Sequence, residues 1–345
     1  MPHIKGLNAI RAFSIMLVVL NHMDTFQSIL IPGVIDLRLA PMISGNFGVQ
    51  VFFVLSGFLI SHILLDERTR TGKINLKYFF IRRFLRLAPP LLIFFLLIGI
   101  ALSQGYLSHT TDSLLYAAFY LYNFTPRELY ASEMGHFWSL GVEEQFYLFW
   151  PLTLTTIKKV NSLIFFLCVL IFLCSVLVLI IHWIPLNKAY HISRWFIPAC
   201  CPILIGCLGA VLNHYREHSV QQLLRHHWLV ALLMLITYSF SLYAPVFMIP
   251  LGISIQSVAV ILFILKLYHS QDRRWVRALE FAPLSYMGII SYGIYVYQGF
   301  FLRTGSGSEL WFQQFPTNIL LTLTLAVLSY ELFEKQVLKL KRKFK

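Results

Sequence analysis

Charged residues are scarce in this chain, and their scarcity excludes an ordinary soluble domain. Only 12% of the 345 residues are Asp, Glu, Lys or Arg, whereas 58% are hydrophobic and the mean hydropathy is +0.70. Soluble domains usually carry about 25% charged residues. Several apolar runs approach the length of about 20 residues that a helix needs to cross a bilayer. The composition therefore predicts an all-α, polytopic integral membrane protein.

Cysteine is also rare, and its five positions predict no redox or zinc chemistry. All five lie in apolar segments without a C-x-x-C pair, which is typical of small core residues. The segment 214–218 reads H-x-x-E-H, a zinc-binding pattern, but it lies in a basic connecting segment. We therefore predict no metal site and no tightly bound cofactor.

Hydropathy predicts ten membrane spans, and the cations predict their orientation. The spans lie near 7–26, 46–65, 79–103, 137–157, 161–183, 196–213, 228–243, 245–268, 282–303 and 316–337. The segment 113–124 is apolar but short, and we predict a re-entrant or interfacial helix there. With both termini in the cytoplasm, all but five of the 28 Lys and Arg residues lie on the inner side. The net charge of +13 then reflects topology and attraction to anionic membrane lipid, not nucleic-acid binding.

The first predicted span carries two residues that hydrocarbon should reject. Arg11 and His22 are eleven positions apart, so they share one helix face and lie about 16 Å apart along its axis. Ionisable side chains within a membrane helix are costly unless they line a cavity or meet partners, which predicts a functional site. The alternative is that Arg11 anchors the helix at the interface and His22 makes an interhelical hydrogen bond.

The second and third spans add small residues and a cluster of arginines. Arg82, Arg83 and Arg86 share a helix surface at the inner end of the third span. They are suited to a phosphate-bearing ligand from the cytosol, although arginines at a span end also extend to lipid headgroups. In the second span, Gly57 permits close helix packing, and Ser56 is predicted to pack or to line a cavity, not to act as a nucleophile.

The fourth span begins with the densest polar pattern in the chain. His136, Ser139, Glu143 and Tyr147 follow one another at offsets of three, four and four, which forms one polar stripe on a helix. A carboxylate within the membrane needs a cation or a wet cavity. A structural pair between Glu143 and an arginine is the alternative to a catalytic role.

Four motifs in order are similar to one known family. The segments GLNAIRAF…VLNH, FGVQVFFVLSGFLIS, RRFLRLAP and HFWSLGVEEQFY together resemble the acyltransferase-3 family of membrane acyltransferases. The resemblance implies about ten helices around a polar cavity and a single transmembrane domain over residues 1–345, without an appended soluble domain. It also implies O-acylation of a glycan such as lipopolysaccharide O-antigen or exopolysaccharide, with cytosolic acetyl-CoA or another acyl-CoA as donor, at a bacterial inner membrane.

The resemblance also implies roles for individual residues. The family's Arg-x10-His pair corresponds to Arg11 and His22, its R-x-x-R to Arg83 and Arg86, and its W-S-L-x-x-E to Trp138 and Glu143. The late motif that usually reads SYSLYLWH appears here as SYGIYVYQ, residues 291–298, with Gln298 in place of histidine. This departure leaves the contribution of the last two spans open.

The chemistry of acyl transfer suggests a role for each of these residues. Transfer from a thioester to an alcohol needs a base for the alcohol proton, and His22 is the candidate. Glu143 is expected to hold His22 in one tautomer. Arg11, Arg82, Arg83 and Arg86 are expected to bind the donor. Acceptor-binding or cavity-lining residues are predicted to be Ser56, His136, Trp138, Ser139, Tyr147 and Gln298. The alternative function is a transporter or a subunit of an export complex for a glycan or small solute.

Overall fold

Helices account for the regular structure in the described part of the chain. The computed structural model describes residues 4–23, 44–107, 111–181, 188–243, 251–303, 308 and 310–344. Within these ranges the single β contact is an isolated bridge between Pro126 and Tyr190. The prediction of an all-α chain is confirmed for the described residues.

Fifteen α-helices follow one another along the described chain. In order, they are α1 Leu7–His22, α2 Gly45–Thr71, α3 Leu76–Ser103, α4 Thr111–Ala118, α5 Phe137–Thr156, α6 Val160–Ile181, α7 Phe196–Ala199, α8 Cys201–Tyr215, α9 Glu217–Leu223, α10 Trp228–Tyr243, α11 Ile253–Tyr268, α12 Arg274–Ala278, α13 Ala282–Leu302, α14 Thr317–Ser329 and α15 Lys335–Leu340. A π-helical turn, Tyr330–Glu334, joins α14 to α15, and a 3₁₀ turn, Lys341–Phe344, follows.

Each of the ten predicted spans contains an observed helix. Among the described helices, α2, α3 and α6 are long and apolar enough to cross a membrane, and α9 with α10 is a fourth candidate if read as one span bent by 68°. Helices α1, α8 and α11 are apolar but shorter. Parts of the predicted spans 7–26 and 245–268 lie outside the described residues. Ten crossings, cytoplasmic termini and a re-entrant segment at 113–124 stay predictions.

Local sequence signals set the ends of the two longest helices. The Ser44 side chain accepts a hydrogen bond from the Phe47 amide and begins α2, while Gly72, with a φ of 76°, ends it. The Asn75 side chain in turn accepts from the Tyr78 amide at 3.0 Å and begins α3. These caps satisfy amides that a helix start leaves without a backbone partner.

Close helix contacts bring the functional residues together. Helix α8 packs along α2, and α1 packs against both α2 and α13. A Cβ atom at Gly57 would lie 2.0 Å from the Ile203 carbonyl oxygen, so only glycine allows α2 and α8 to approach this closely. The prediction for Gly57 is confirmed. As a result, α1, α2, α3, α5 and α13 surround a common space.

Candidate active site

A cavity of about 210 Å³ lies among these five helices. Its apolar wall includes Phe52, Leu87 and Leu140. Its polar wall combines three guanidinium groups, one carboxylate and several hydroxyls, contributed by Arg11, Ser56, Arg83, Arg86, Ser139, Glu143, Ser291, Tyr292 and Tyr295. Arginine, serine and glutamate residues that are distant in sequence therefore share one site.

Glu143 is the centre of a network on the cavity wall. Its Oε1 accepts hydrogen bonds from the Ser56 and Tyr147 hydroxyls, which also contact each other. The same oxygen lies 3.4 Å from the Arg83 Nη2 atom. A cation and two hydrogen-bond donors satisfy the polar atoms of a carboxyl group away from bulk water. Ser56, Glu143 and Tyr147 thus act as one unit, as the helix spacing in α5 predicted for the last two.

Arg83 links this network to a second carboxylate. Both Nε and Nη2 of Arg83 donate to Glu144 Oε1 at 3.1 Å, and the guanidinium carbon lies 3.6 Å from the centre of the Tyr147 ring. The sequence suggested no partner for Glu144, because it lies off the polar stripe. Two carboxylates and an aromatic face therefore fix the position of Arg83.

Arg11 and Arg86 differ from Arg83 in their charge partners. The Arg11 Nη1 atom donates to the Asn8 side chain at 3.0 Å. Within the described part of the chain, no carboxylate forms an ion pair with Arg11 or with Arg86. Since both side chains line the cavity, they present positive charge to it, which suits an anionic ligand.

Arg82 departs from its predicted role in donor binding. It forms an ion pair with Glu67 at 3.4 Å, and its Nη1 donates to the Phe344 carbonyl at 2.7 Å. It does not line the cavity. Neighbouring residues on a helix point about 100° apart, so Arg82 faces the chain terminus while Arg83 faces the cavity.

The 3₁₀ turn Lys341–Phe344 adds a cation that no sequence motif had singled out. This turn packs on α3 next to the arginines, with the Phe344 ring against Tyr78. Burial, followed by the like charges of Arg86, Arg83 and Arg82, lowers the pKa of Lys341 to about 7. Lys341 therefore belongs to the same positive region as the cavity arginines.

His22 lies at the end of α1, away from the cavity wall. Its Nδ1 atom is 2.9 Å from the Val18 carbonyl oxygen. A carbonyl can only accept, so Nδ1 carries the proton and Nε2 is the basic nitrogen of the neutral ring. The predicted contact with Glu143 is wrong, because the Glu143 carboxylate instead contacts Ser56, Tyr147 and Arg83. The Val18 carbonyl, not Glu143, sets the tautomer.

His136 and Gln298 are buried beyond the cavity. The His136 ring packs against Phe94, Phe137 and Tyr295, and His22 is among its electrostatic neighbours. Among the described residues, neither ring nitrogen makes a well-formed hydrogen bond, and neither amide atom of Gln298 has a hydrogen-bond partner. Buried polar atoms in this state are costly. Neither residue lines the cavity, so no direct contact with the cavity supports their predicted role in acceptor binding.

Ser139 and Trp138 lie on different sides of α5. Ser139 lines the cavity and its hydroxyl contacts the Tyr295 hydroxyl. Trp138 does not line the cavity; its ring meets Phe53 edge-on, and the Arg194 guanidinium carbon lies 5.6 Å from its centre. The helical turn between adjacent residues explains why only one of them reaches the site.

Helix α13 supplies a wall that the sequence left open. Ser291, Tyr292 and Tyr295 all line the cavity. The Tyr292 hydroxyl is buried and has no hydrogen-bond partner within the described part of the chain. The Tyr295 ring contacts both Phe52 and His136. The segment SYGIYVYQ therefore contributes to the site through its serine and tyrosines.

The histidines of the segment 214–218, for which we predict no metal site, contact neighbouring polar side chains. His214 Nε2 lies 3.0 Å from the Thr69 hydroxyl, and His218 Nε2 lies 3.0 Å from the Gln222 amide. Among the described residues, no group of three His, Cys, Asp or Glu side chains is arranged to hold a metal ion.

Comparison with known proteins identifies the family. The acyltransferase domain model, acyltransferase-3, matches residues 4–330. A Bacillus subtilis (strain 168) protein, YrhL, provisionally named a peptidoglycan O-acetyltransferase, is 28% identical over 97% of this chain and 55% of its own length. The O-acetyltransferase OatA of Staphylococcus aureus (strain NCTC 8325 / PS 47) is 29% identical over 53% of this chain and 30% of its own length. The chain thus spans about half of the first relative's length and less of the second's. No solved structure gives a significant match. Because the family model covers nearly all of it, the chain belongs to the acyltransferase-3 family.

Proposed function

We propose that this chain is a membrane O-acetyltransferase that moves an acyl group from a cytosolic acyl-CoA, usually acetyl-CoA, to a hydroxyl of a cell-surface glycan. The observation that carries the proposal is the convergence of Arg11, Arg83 and Arg86 on one cavity. The names of the two relatives support transfer to oxygen, and that of the Bacillus protein supports a glycan acceptor.

The donor binds through its phosphates. Arg11 and Arg86 line the cavity without an ion pair in the described chain, and Lys341 lies beside them. Arginine forms paired hydrogen bonds with phosphate oxygens, so these cations complement the nucleotide end of coenzyme A. The cavity of about 210 Å³ is smaller than the ~300–1,000 Å³ of sites for whole drug-sized ligands. It is therefore suited to the narrow arm of the donor, with the nucleotide at its mouth.

The reaction takes place at His22. Nε2 of His22 accepts the proton of the glycan hydroxyl as its oxygen attacks the thioester carbon. The carbon–oxygen bond forms and the carbon–sulfur bond breaks. The histidine then returns the proton to the departing thiolate, which leaves as coenzyme A. In this proposal the donor reaches His22 past Tyr295, which lines the cavity and contacts His136, an electrostatic neighbour of His22.

Glu143 positions Arg83, one of the cations that bind the acyl donor, and does not act on His22, the base. Its contacts with Ser56 and Tyr147 anchor it, and its ion pair holds Arg83 at the cavity. This role replaces the predicted contact with His22. The proposal places the chain in the inner membrane of a bacterium as a multi-pass protein, with a glycan or lipid-linked glycan as acceptor and no nucleic-acid partner.

Mass spectrometry of surface glycans tests the proposal. Cells that produce the wild-type chain should gain one acyl group, most simply one acetyl group, per modified sugar, and cells with His22→Ala should not. Immunoblotting of the membrane fraction controls for the amount of variant protein. Acylation by the His22→Ala variant at the wild-type rate would overturn the role of His22. Uptake of an unchanged solute without acylation would instead indicate a transporter.

A further inference from the structure

A second basic site lies outside the active-site cavity. A pocket of about 770 Å³ opens where the α9–α10 turn meets the end of α11 and the start of α12. Its cations are Arg225, Lys266 and Arg273, with His227 and His269 beside them. We call this space the basic pocket. No carboxylate lines it, and none of its three cations forms an ion pair among the described residues.

Lys266 is held in place at the centre of the basic pocket. Its Nζ atom donates to the Leu224 carbonyl at 3.2 Å and lies 3.2 Å from His227 Nδ1. Glu217 lies 3.8 Å from the Nδ1 atom of His269 and is not among the residues that line the pocket. Lys266 is therefore positioned by a carbonyl and an imidazole, not by a carboxylate, which leaves its charge available to an anion.

The basic pocket continues into an apolar groove. A second space, of about 350 Å³, shares Leu224, His227 and Lys266 with the pocket. It shares Val230 and Phe263 with a third space of about 540 Å³, which is lined only by apolar residues of α1, α2, α10, α11, the α12–α13 connection and the start of α13. We call the second and third spaces together the lipid groove.

From this continuity we propose that the basic pocket and the lipid groove bind one acidic phospholipid, with its phosphate among Arg225, Lys266 and Arg273 and an acyl chain along Phe263. A soluble phosphate compound would fill the basic pocket and leave the groove empty. A neutral lipid would fill the groove and leave three cations without a counter-charge. An acidic phospholipid satisfies both, and basic pockets between helices at the inner membrane face suit such headgroups.

The groove also contacts the helix that carries the active-site arginine. Phe13 and Met16 of α1 line the groove, on the helix face opposite to Arg11. The Lys5 amide donates to the Gln271 side chain at 2.8 Å, which ties the start of α1 to the segment that carries Arg273. A lipid bound here therefore packs directly on the back of α1.

Lipid retention by the purified full-length chain tests this proposal without any measurement of acyl transfer. The chain in detergent is mixed with equal amounts of phosphatidylglycerol and phosphatidylcholine, and bound lipid is identified by native mass spectrometry. We expect one phosphatidylglycerol per chain. Lys266→Gln/Arg273→Gln should weaken its retention by about 30-fold, about fivefold for each charge. The control Lys158→Gln/Lys159→Gln removes two exposed cations elsewhere and should retain lipid as the wild type does.

Three further measurements distinguish the sources of the phosphate. Dihexanoyl phosphatidylglycerol should bind more weakly than the long-chain lipid if the groove holds an acyl chain. Inorganic phosphate or coenzyme A that displaces the lipid at equal concentration would overturn the proposal in favour of a soluble anion site. Equal retention of the two headgroups by the wild type would also overturn it. If the double variant does not fold, Arg225→Gln provides the same test, since its side chain is exposed.

Discussion

Replacement of Arg83 by glutamine tests whether this arginine holds the cavity wall together. Arg83 is the cation for two carboxylates, Glu143 at 3.4 Å and Glu144 at 3.1 Å, and it stacks on Tyr147. The carboxylate side chains are only 21% and 19% exposed. In the variant, two neighbouring negative charges would therefore remain largely out of water without their cation, and the folded state should lose stability.

The expected magnitude follows from this partial burial. Loss of one partner from a fully buried ion pair costs about 3–5 kcal/mol, and a surface pair contributes about 0–1 kcal/mol. For carboxylates that keep about a fifth of their exposure, we expect a decrease of about 2–3 kcal/mol in the free energy of unfolding. The control Lys335→Gln breaks the exposed pair with Glu331 and should change it by less than about 0.5 kcal/mol.

A double variant separates stability from function. Arg83→Gln/Glu144→Gln removes one of the two unpaired carboxylates and should recover about half of the lost stability or more, because the two changes interact. It should not recover donor binding, since the cation is still absent. We expect KM for acetyl-CoA to rise about 10- to 100-fold in both variants.

Two assays measure these quantities. Unfolding by sodium dodecyl sulfate in mixed micelles, followed by circular dichroism, gives the free energy of unfolding. Transfer of radiolabelled acetyl groups from acetyl-CoA in membrane vesicles gives KM. Changes of less than about 0.5 kcal/mol in the free energy of unfolding and less than about threefold in KM for Arg83→Gln would refute this reasoning. Arg83 would then have no structural role and no role in donor binding.

Three other predictions concern single positions. The pKa of Lys341 is about 7, and a bound phosphate favours the charged form of its side chain. KM for acetyl-CoA should therefore rise about tenfold from pH 6 to pH 8. Lys341→Arg should abolish most of that rise. A flat KM in the wild type would contradict this. Gly57→Ala should destabilise the fold by about 1–3 kcal/mol, because its Cβ would meet Ile203. The control Gly99→Ala has open space around the new Cβ and should not destabilise the fold. Equal thermal midpoints for the two variants would refute the close contact at Gly57. Ser56→Ala should keep acetyl transfer within about threefold, and detection of an acyl-serine at this position by peptide mass spectrometry would show a nucleophile instead.

The sequence predicted the helices well because their signals are local. Apolar runs indicate where a helix lies, and each predicted span contains an observed helix, although helices such as α2, α3 and α8 extend beyond the predicted bounds. Capping residues such as Ser44 and Asn75 set where α2 and α3 begin. The shared face of Ser139, Glu143 and Tyr147 follows from helical geometry alone. Arg11 likewise reaches a cavity, as its position in an apolar helix predicted.

The sequence could not predict which distant side chains meet. Glu143 contacts Ser56 and Arg83, 87 and 60 positions away, and this pairing depends on how α2 and α3 pack around α5. Helical geometry turns Arg82 about 100° away from Arg83, but which of the two faces the cavity depends on tertiary packing. Lys341 lies in no motif, and Tyr292 lies in the late motif 291–298 without a predicted role; only the folded chain brings Tyr292 to the cavity and Lys341 close to its arginines.

The most direct test of the account is acetyl transfer across a sealed membrane. Inside-out vesicles from cells with the wild-type chain receive radiolabelled acetyl-CoA on their cytoplasmic face, and label is then measured on glycan within the vesicles. The account predicts ester-linked label with the wild type and none with His22→Ala or Arg11→Gln at equal protein amounts. Labelled glycan at wild-type levels from the His22→Ala vesicles would contradict it.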